Sequence, residues 1–428
     1  MSSSEKYYEE GLNYFKGKKY KEAIEFFDKA IELDNTKSKY YSSRGRSKNA
    51  LKQHEEAKND AYKSLELDKN NAESYLLLGN VHSALEQYEE AIKYYNKSIE
   101  LDPNNSMSYY NRGFAKDSLG QSEDAIKDYD KAIELDPNNS MSYYNRGFAK
   151  YNLGQSEEAV KDYDKAIELD PNDSNAYNNR GVSKENLEQY EEAIEDYDKA
   201  IELDINNATI YYNRGNAKNI LGEYEEAIKD FDKSIELNSN YPDSYYNRGV
   251  AKYNSKQYDE AVKDYNKAIE LNPDYISAYN NRGNTKSALG LYEEAIKDYD
   301  KAIELNSNDM PAFNNRALAK KKLGLYEEAI KDFDEAIELY PDYSGTYNNR
   351  GSLKIVLKLY EEAIKDFDIA IKLDPNNIEA YNNKGLVKEQ LGKYEDALKE
   401  YKKALELAPN NNTAKENIKN IQDKYGLK

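Results

Sequence analysis

The sequence of 428 residues contains no cysteine, no tryptophan and only two histidines. Without cysteine, disulfide bonds and thiolate metal sites are excluded. The first residues, MSSSEKYYEEG, lack the apolar core of a signal peptide, and no apolar run approaches the roughly 18 residues of a membrane-spanning helix. These absences favour a soluble, cytoplasmic protein, although the same sequence would remain after removal of a leader.

Positive charge is also in short supply, because 61 lysines and arginines face 80 aspartates and glutamates, a net charge of -19. This balance opposes nonspecific binding to nucleic acid or anionic membranes, which requires clustered Lys and Arg. Tyrosine, by contrast, is abundant: its 43 residues bring the aromatic fraction to 12%, which argues against disorder. Tyrosine can bury its ring while its hydroxyl stays wet, so it suits a thin structure with little deep interior.

Glycine recurs every 34 residues through most of the chain, at Gly79, Gly113, Gly147, Gly181, Gly215, Gly249 and Gly283. A fixed period of this size predicts a solenoid of stacked helical units. With the phase set at Ser4, twelve uninterrupted repeats follow: 4–37, 38–71, 72–105, 106–139, 140–173, 174–207, 208–241, 242–275, 276–309, 310–343, 344–377 and 378–411. We number the positions within each repeat from 1 and call them places.

Each unit contains two amphipathic stretches separated by a turn such as Leu119-Gly120 or Leu289-Gly290. Glycine just after a helical run favours the left-handed conformation that ends a helix. The second stretch reads EEAIKDYDKAIEL, with apolar residues at helical spacing, and in seven repeats a proline follows it, as in the Asp-Pro-Asn-Asn of residues 102–105. Proline stops the helix there, and the nearby Asn or Ser can cap the next one. Place 8 is small and place 20 is alanine in every unit, which predicts a close approach of the two helices.

These features resemble the tetratricopeptide repeat, which has aromatics at places 4 and 24, small residues at places 8, 20 and 27, and a proline near its end. The pattern covers residues 4–411, and the main departure is Ala61 at place 24 of repeat 2. The resemblance implies an all-α, right-handed superhelical solenoid of antiparallel helix pairs. It also implies that the first helices line a concave groove.

Residues 412–428, after the last repeat, carry one more amphipathic pattern. Its apolar stripe consists of Ala414, Ile418, Ile421 and Tyr425 at helical spacing, with charged residues around the rest. The last repeat has no following neighbour to cover its apolar face. The sequence therefore predicts a C-terminal capping helix.

Asparagine occupies place 6 in nine consecutive repeats, and we call this series the asparagine ladder: Asn111, Asn145, Asn179, Asn213, Asn247, Asn281, Asn315, Asn349 and Asn383. Repeats 1 to 3 instead have Glu9, Ser43 and Leu77. Asparagine is unfavourable inside a helix, and its amide complements a peptide unit, so the ladder predicts recognition of an extended peptide backbone. It resembles the asparagine ladder in the repeat domains of O-linked GlcNAc transferases, although no glycosyltransferase domain follows. The alternative is that each asparagine bonds a neighbouring helix or solvent.

Aromatic and apolar residues accompany the ladder in the middle of the chain. Within the ladder repeats, place 5 is tyrosine in repeats 4, 5, 7 and 8 (Tyr110, Tyr144, Tyr212 and Tyr246) and asparagine in repeats 9 to 12 (Asn280, Asn314, Asn348 and Asn382). Repeats 4 and 5 add Met107, Phe114, Met141 and Phe148, which we call the apolar anchor. An exposed cluster of this kind predicts a hydrophobic contact for a ligand. The alternative is that the phenylalanines pack only against adjacent helices.

Place 7 is basic throughout repeats 4 to 12, with arginine from Arg112 to Arg350 and Lys384 last, and lysine follows four residues later. Like charges at this spacing repel each other, which predicts a facing acidic row. The second helices supply candidates in Asp128, Asp130, Asp162 and Asp164. If the cations were free instead, the tyrosines beside them would suit RNA or another polyanion.

No catalytic or metal motif stands outside the repeat pattern. His54 and His82 belong to no HxxxH or HExxH pair, and the glycines form no phosphate-binding loop. No place 5 is lysine, which the tetratricopeptide cochaperones that bind C-terminal carboxylates require. The sequence therefore predicts a non-catalytic scaffold, without metal or cofactor, that binds extended segments of other proteins. Binding of RNA or another polyanion, and self-association, are the alternatives.

Overall fold

A computed structural model describes residues 2–426, which form 25 α-helices and no strand. Contacts divide the chain into two compact units at the junction of Leu221 and Gly222. The first unit contains α1 (Ser3–Lys16), α2 (Tyr20–Leu33), α3 (Ser38–Ala50), α4 (His54–Leu67), α5 (Ala72–Ala84), α6 (Tyr88–Leu101), α7 (Ser106–Ser118), α8 (Ser122–Leu135), α9 (Ser140–Asn152), α10 (Ser156–Leu169), α11 (Ser174–Glu185), α12 (Tyr190–Leu203) and α13 (Ala208–Ile220). The second unit contains α14 (Tyr224–Leu237), α15 (Pro242–Asn254), α16 (Tyr258–Leu271), α17 (Ile276–Ala288), α18 (Tyr292–Leu305), α19 (Met310–Lys322), α20 (Tyr326–Leu339), α21 (Ser344–Val356), α22 (Tyr360–Leu373), α23 (Ile378–Gln390), α24 (Tyr394–Leu407) and α25 (Asn412–Tyr425).

Odd-numbered helices up to α23 are the first helices of their repeats, and even-numbered helices are the second. Within each unit, a first helix packs against its own second helix and against the second helix of the preceding repeat. The turn inside a repeat is short, as at residues 119–121 between α7 and α8, so the paired helices run antiparallel. The predicted all-α class of consecutive helix pairs is confirmed.

The small residues at places 8 and 20 let the two helices of a repeat approach closely, as predicted. In repeat 4, a Cβ added at Gly113 would lie 2.9 Å from the ring of Tyr129 and 3.2 Å from the carbonyl oxygen of Ala125. Both Ala125 and Tyr129 are fully buried. The aromatic at place 24 therefore fills the core of the repeat, and glycine makes room for its ring.

Repeat 2 shows how the chain compensates for a missing aromatic. Ala61 occupies place 24, and the space beside Gly45 is filled by Leu77, whose Cδ2 lies 2.6 Å from where a glycine Cβ would be. Leu77 belongs to place 6 of repeat 3, and it is buried with Ala57, Ala61 and Val81. The first unit thus gives up a ladder position to fill its core, because a void there would lose contacts on every side.

The turns and caps also follow the sequence. Gly120 and Gly290 have φ angles of +74° and +80°, and Asn105 caps α7 by accepting from the backbone N–H groups of Met107 and Ser108. At the same turn, six repeats use a residue with a side chain at positive φ: Lys18, Lys52, Glu86, Glu188, Lys256 and Lys358. A side chain in this conformation crowds the backbone, so these six turns are strained relative to the glycine turns.

The helix that follows the last repeat covers that repeat's apolar face. Ala414 and Ile421 on α25 are fully buried, and Tyr425 stacks on Tyr394 with ring centroids 3.7 Å apart. Ile418 packs against the same core. Positions 427 and 428 of the predicted capping segment lie outside the described residues.

Replacing a strained turn residue with glycine is expected to stabilise the protein. We expect Lys256→Gly and Glu188→Gly each to raise the free energy of unfolding by about 0.5–1 kcal/mol, because glycine adopts positive φ without steric cost. Urea denaturation of the full chain, followed by circular dichroism, measures the effect. The control is Gln257→Gly, one residue further on at a φ of -86°, which should give no gain. An equal gain from Gln257→Gly would contradict the strain explanation.

Candidate functional site

The first helices form one continuous face in each unit, which we call the inner face. First helices of successive repeats contact each other directly, as α3 does with α5 and α17 with α19. The second helices are held mainly by their neighbours in sequence. Side chains on the exposed side of successive first helices therefore lie next to one another, in the order of the repeats.

The asparagine ladder joins neighbouring repeats. Asn145, Asn179 and Asn281 each donate from Nδ2 to the tyrosine Oη at place 5 of the preceding repeat, at 2.8–2.9 Å. Where place 5 is asparagine, its Oδ1 accepts the bond at 3.0–3.2 Å, in the pairs Asn213–Asn178, Asn349–Asn314 and Asn383–Asn348. Asn111 and Asn315 donate instead to place 9 of the preceding repeat, at Asn80 and Asn284. Bonding to a neighbouring helix, the structural alternative for the ladder, is thus present.

One bond does not exhaust an asparagine side chain, which has two N–H donors and a carbonyl acceptor. The ladder residues in these bonds are only half-buried, so their amides remain accessible at the inner face. In Asn179 the oxygen is also engaged, because it accepts from Asn178 at 3.0 Å. We call each of these hydrogen bonds between neighbouring repeats a joint. A joint fixes the orientation of the ladder amide, and the amide can still form a further hydrogen bond.

The place-5 tyrosines pack their rings inward. The ring of Tyr110 lies 6.0 Å from that of Tyr129 in its own repeat, and the ring of Tyr144 lies 5.8 Å from that of Tyr163. Burial raises the pKa of both Tyr110 and Tyr144, and the hydrogen bond from the next ladder asparagine offsets part of this rise. The rings of Tyr110 and Tyr144 thus lie between the inner face and the buried tyrosine at place 24 of the same repeat.

The four residues of the apolar anchor are exposed. Met107 and Phe114 lie seven residues apart on one face of α7 and are 44% and 43% exposed, and Met141 and Phe148 repeat this arrangement on α9. Phe114 also makes an edge contact with Tyr88 of the preceding repeat, with ring centroids 6.5 Å apart. Some of the ring surface is thus used between repeats, while 40–45% of each anchor residue stays exposed.

The predicted pairing of the basic series with acidic second helices is confirmed. In repeat 5, Arg146 and Lys150 both bind the carboxylate of Asp162, with Nε and Nζ at 2.9 and 2.7 Å from the same oxygen. Arg146 also reaches Asp130 of the preceding repeat, at 2.6 Å. The same arrangement of arginine, lysine and buried aspartate recurs in repeats 2, 4, 6, 8, 9, 10 and 11. These cations are engaged inside the protein, whereas a polyanion would need them free.

The arginine of each cluster also lies over the aromatic ring at place 4. The Arg146 guanidinium carbon is 5.5 Å from the centre of the Tyr143 ring. Burial alone would lower the pKa of Arg146, but its bonds to Asp162 and Asp130 outweigh this effect and raise it. The side chain is therefore a fixed, permanently charged part of the framework.

Sequence reasoning missed Glu185, which occupies place 12 of repeat 6 at the end of α11. Burial raises the pKa of this carboxyl group from 4.5 to about 7, and the nearby Tyr197 hydroxyl counteracts only part of that rise. Most other repeats have an uncharged residue at this place, such as Tyr151 in repeat 5 and Ser287 in repeat 9. The only available signal was a charged residue at a place that is usually neutral.

The two histidines serve local structure. His54 Nδ1 lies 2.9 Å from Asn49 Oδ1, and His82 Nδ1 lies 2.7 Å from Gln87 Oε1 with its ring stacked on Tyr94. Within residues 2–426, no group of three His, Cys, Asp or Glu side chains is arranged to hold a metal ion. No helix in the same range is both long and apolar enough to cross a membrane.

Stacked antiparallel helix pairs of constant length define an α-helical repeat protein. Profiles described as tetratricopeptide repeat match residues 4–37, 38–71, 72–105, 94–127, 140–173, 162–195, 242–275, 276–309, 311–343 and 378–411. A further profile, described as TPR repeat, matches residues 118–154, 186–218, 215–256 and 359–392. The chain belongs to the tetratricopeptide repeat family, as the sequence pattern predicted.

Several solved structures are similar to this chain. YrrB, described as a TPR protein with an unusual peptide-binding site, is 28% identical over 45% of this chain and 97% of its own, with a TM-score of 0.40. MamA is 31% identical over 38% of this chain and 94% of its own, with a TM-score of 0.37. The APC/C hetero-tetramer Cut9–Hcn1 is 15% identical over 98% of this chain and 96% of its own, with a TM-score of 0.49. No curated protein sequence matches significantly.

Several arginines of the basic series bind a buried aspartate of their own repeat and an exposed aspartate of the preceding repeat. The buried aspartate is expected to contribute far more stability than the exposed one. We expect Asp162→Ala to lower the free energy of unfolding by about 3 kcal/mol, because Lys150 loses this buried partner and Arg146 keeps the more exposed Asp130 in its place. Asp164 is 54% exposed, and within residues 2–426 its one salt bridge is to Arg180, so Asp164→Ala should cost less than about 1 kcal/mol. Urea denaturation of the two variants compares a buried and an exposed carboxylate on the same helix. Equal losses would contradict this assignment.

The raised pKa of Glu185 predicts a pH-dependent stability. Because the folded chain holds this proton more tightly than the unfolded chain, the contribution is complete below pH 4.5 and is lost as pH rises through about 7. We expect Glu185→Gln to stabilise the protein relative to wild type by roughly 2 kcal/mol at pH 8, and to have little effect at pH 5. Melting temperatures at both pH values measure the difference. Glu191→Gln, on an exposed side of α12, is the matched control and should show no such pH dependence.

Proposed function

We propose that this protein is a non-catalytic scaffold that binds extended segments of other proteins along the inner face of its first helices. The observation that carries the proposal is the asparagine ladder: half-buried amides at the same place of successive repeats, each held in one orientation by the repeat before it. An ordered row of donors and acceptors matches the backbone of an extended peptide, whose N–H and C=O groups also recur at a fixed spacing.

The joints within the ladder favour this function. Each ladder amide that bonds the preceding repeat is already immobilised, so a ligand would not have to supply the entropy of ordering it. In Asn145, one amide hydrogen is bonded to Tyr110, and the residue stays partly exposed. Such an arrangement recognises main-chain groups and makes little demand on the side chains of the segment.

The apolar anchor gives the same surface a point of preference. Met107, Phe114, Met141 and Phe148 lie on neighbouring first helices of the first unit and are at least 40% exposed. Methionine adapts its shape to different apolar groups, and phenylalanine supplies area at low entropic cost. We propose that an apolar side chain of the bound segment packs here. Tyr212 and the ladder residues of the first unit belong to the proposed surface of that unit, and Tyr246 and the ladder residues from Asn247 onward belong to that of the second.

Polyanion binding finds less support in the geometry. The basic series that would contact phosphates is bound to buried aspartates. If a phosphate drew these cations away, the buried carboxylates would keep a negative charge without a partner. A cytoplasmic location also stays a prediction from the sequence.

The ladder can be tested separately from its structural role. Asn145→Ala, Asn179→Ala and Asn281→Ala, combined, remove both the joint and the ligand-facing amide. The matched triple variant Tyr110→Phe, Tyr144→Phe and Tyr246→Phe removes the acceptor of the same three joints and keeps every ladder amide. We expect partners captured from native lysate by the wild type to be retained by the tyrosine variant. The asparagine variant should lose about 100-fold in affinity, since each hydrogen bond contributes about 1 kcal/mol.

Thermal melts establish that both triple variants are folded. Mass spectrometry of the captured proteins, followed by anisotropy measurements on peptides from them, gives the affinities. If the two variants lose the same partners equally, the ladder is a structural joint only and the proposed function is wrong. Retention of all partners by the asparagine variant would have the same meaning.

A further inference from the structure

The inner face of the second unit contains a cavity of about 760 Å³ between the first helices of repeats 8 to 11. Its lining comes from α15, α17, α19 and α21, with tyrosines from α18 and α20. A volume of this size is in the range of ligand-binding pockets. The ladder residue Asn315 forms part of the wall, so the cavity opens within the surface proposed to bind peptides.

Several polar groups that line the cavity can donate hydrogen bonds to a ligand. The Oδ1 of Asn284 accepts two bonds, from the Tyr299 hydroxyl at 2.8 Å and from the Asn315 amide at 3.0 Å. Both lone pairs of that carbonyl oxygen are thus used, and its amide hydrogens are left for a ligand. The cavity is therefore suited to a group that accepts hydrogen bonds.

Two lysines add positive charge at the same place. Lys321 and Lys322 both line the cavity, and neither has a carboxylate oxygen within 4.0 Å in the described part of the chain. Their neighbour Lys320 does, because it contacts Asp332 at 2.9 Å as part of the buried cluster. The Lys321 ammonium instead donates to the hydroxyl of Ser352, at 3.0 Å.

Lys321 is unusual in its surroundings as well as its pairing. Burial lowers the pKa of Lys321, and the positive charge of Lys322 lowers it further. A partly desolvated cation beside a second cation is costly, and an anion bound between them would remove that cost. In a chain of net charge -19, such an uncompensated pair stands out from the other basic residues of the inner face.

We propose that this cavity binds an acidic side chain, glutamate or aspartate, of the extended segment held on the inner face. The carboxylate would accept from the ammonium groups of Lys321 and Lys322, while Tyr253 and Tyr326 enclose the aliphatic part of the side chain. The inference rests on the proposed function and adds a preference to it: the segment carries a negative charge where it passes repeats 9 and 10. Charge-assisted hydrogen bonds of this kind are stronger than neutral ones.

Fluorescein-labelled hexaglutamate and hexaglutamine are the probes for this preference, measured by anisotropy on the full chain in about 100 mM NaCl, where charges beyond roughly 10 Å are screened. We expect hexaglutamate to bind at least about tenfold more tightly than hexaglutamine, the difference that charged hydrogen bonds contribute. The double variant Lys321→Gln and Lys322→Gln should abolish this difference. Hexaglutamate should also protect Lys321 from acetylation, as detected by mass spectrometry.

A matched control separates the cavity from net charge. Lys297→Gln and Lys331→Gln change the charge by the same amount in repeats 9 and 10, but both lysines are exposed on second helices. This control should keep the preference for hexaglutamate. Equal loss in the two double variants would overturn the inference, because it would reflect general electrostatics.

The outcomes also distinguish this inference from the proposed function. Equal affinity for the two peptides overturns the acidic preference and leaves backbone recognition intact, because hexaglutamine offers the same main chain. If hexaglutamate does not bind, the inference is wrong whatever the lysate experiment shows. Binding of both peptides that survives the combined change of Asn281 and Asn349, the ladder residues of repeats 9 and 11, to alanine would count against the proposed function alone.

Discussion

The buried aspartate at place 23 is the interaction on which the arrangement of the repeats depends. In repeat 5, Asp162 is almost inaccessible to solvent, and it is tolerated there because Arg146 and Lys150 of the facing helix both bind it. The arginine also contacts the preceding repeat through Asp130. One carboxylate thus sets the rotation of the first helix and its position relative to the neighbouring repeat. A buried charge makes every misaligned alternative expensive, which is a reason to retain it even where its net stabilisation is modest.

The rotation imposed by this cluster determines what the inner face presents. Asn145 immediately precedes Arg146, so fixing the arginine toward the second helix aims the amide at Tyr110 in the repeat before it. The same geometry neutralises the abundant cations of the first helices. The charge that remains effective on the inner face comes from residues outside the cluster, such as Lys321 and Glu185. Selectivity is therefore expected from the variable places, and the constant places supply the framework.

Much of the fold could be predicted from the sequence because its determinants are local and recur in every copy. Gly113 and Ala125 are small because the ring of Tyr129 packs between the two helices of the repeat. Gly120 and Asn105 mark the ends of its helices. The salt-bridge partners of the basic series were also predictable, since unpaired like charges at this spacing need an acidic row. In each of these cases the partner lies in the same repeat or at a constant distance along the chain.

The candidate site was less predictable for a physical reason. The acceptor of a ladder amide depends on the rotation between repeats, and sequence spacing alone does not say whether Asn315 meets place 5 or, as observed, Asn284 at place 9. Leu77 was identified as a break in the ladder, while its role in filling the core beside Ala61 required the packed structure. The cavity at Lys321 likewise depends on which residues of six helices converge. Its one sequence signal is the run of lysines at 320–322.

The eight ladder bonds described above have the same polarity, with the donor in the later repeat and the acceptor in the earlier one. The direction of the interface is therefore the same from one repeat to the next. An added repeat with asparagine at place 6 and tyrosine or asparagine at place 5 can donate to the repeat before it and accept from the repeat after it. Repeats 4 and 5 illustrate this, since both begin SMSYYNRGFAK and the bond from Asn145 to Tyr110 is repeated from Asn179 to Tyr144. Duplication or unequal recombination of the gene can therefore change the length of the array by whole units without a new interface having to evolve.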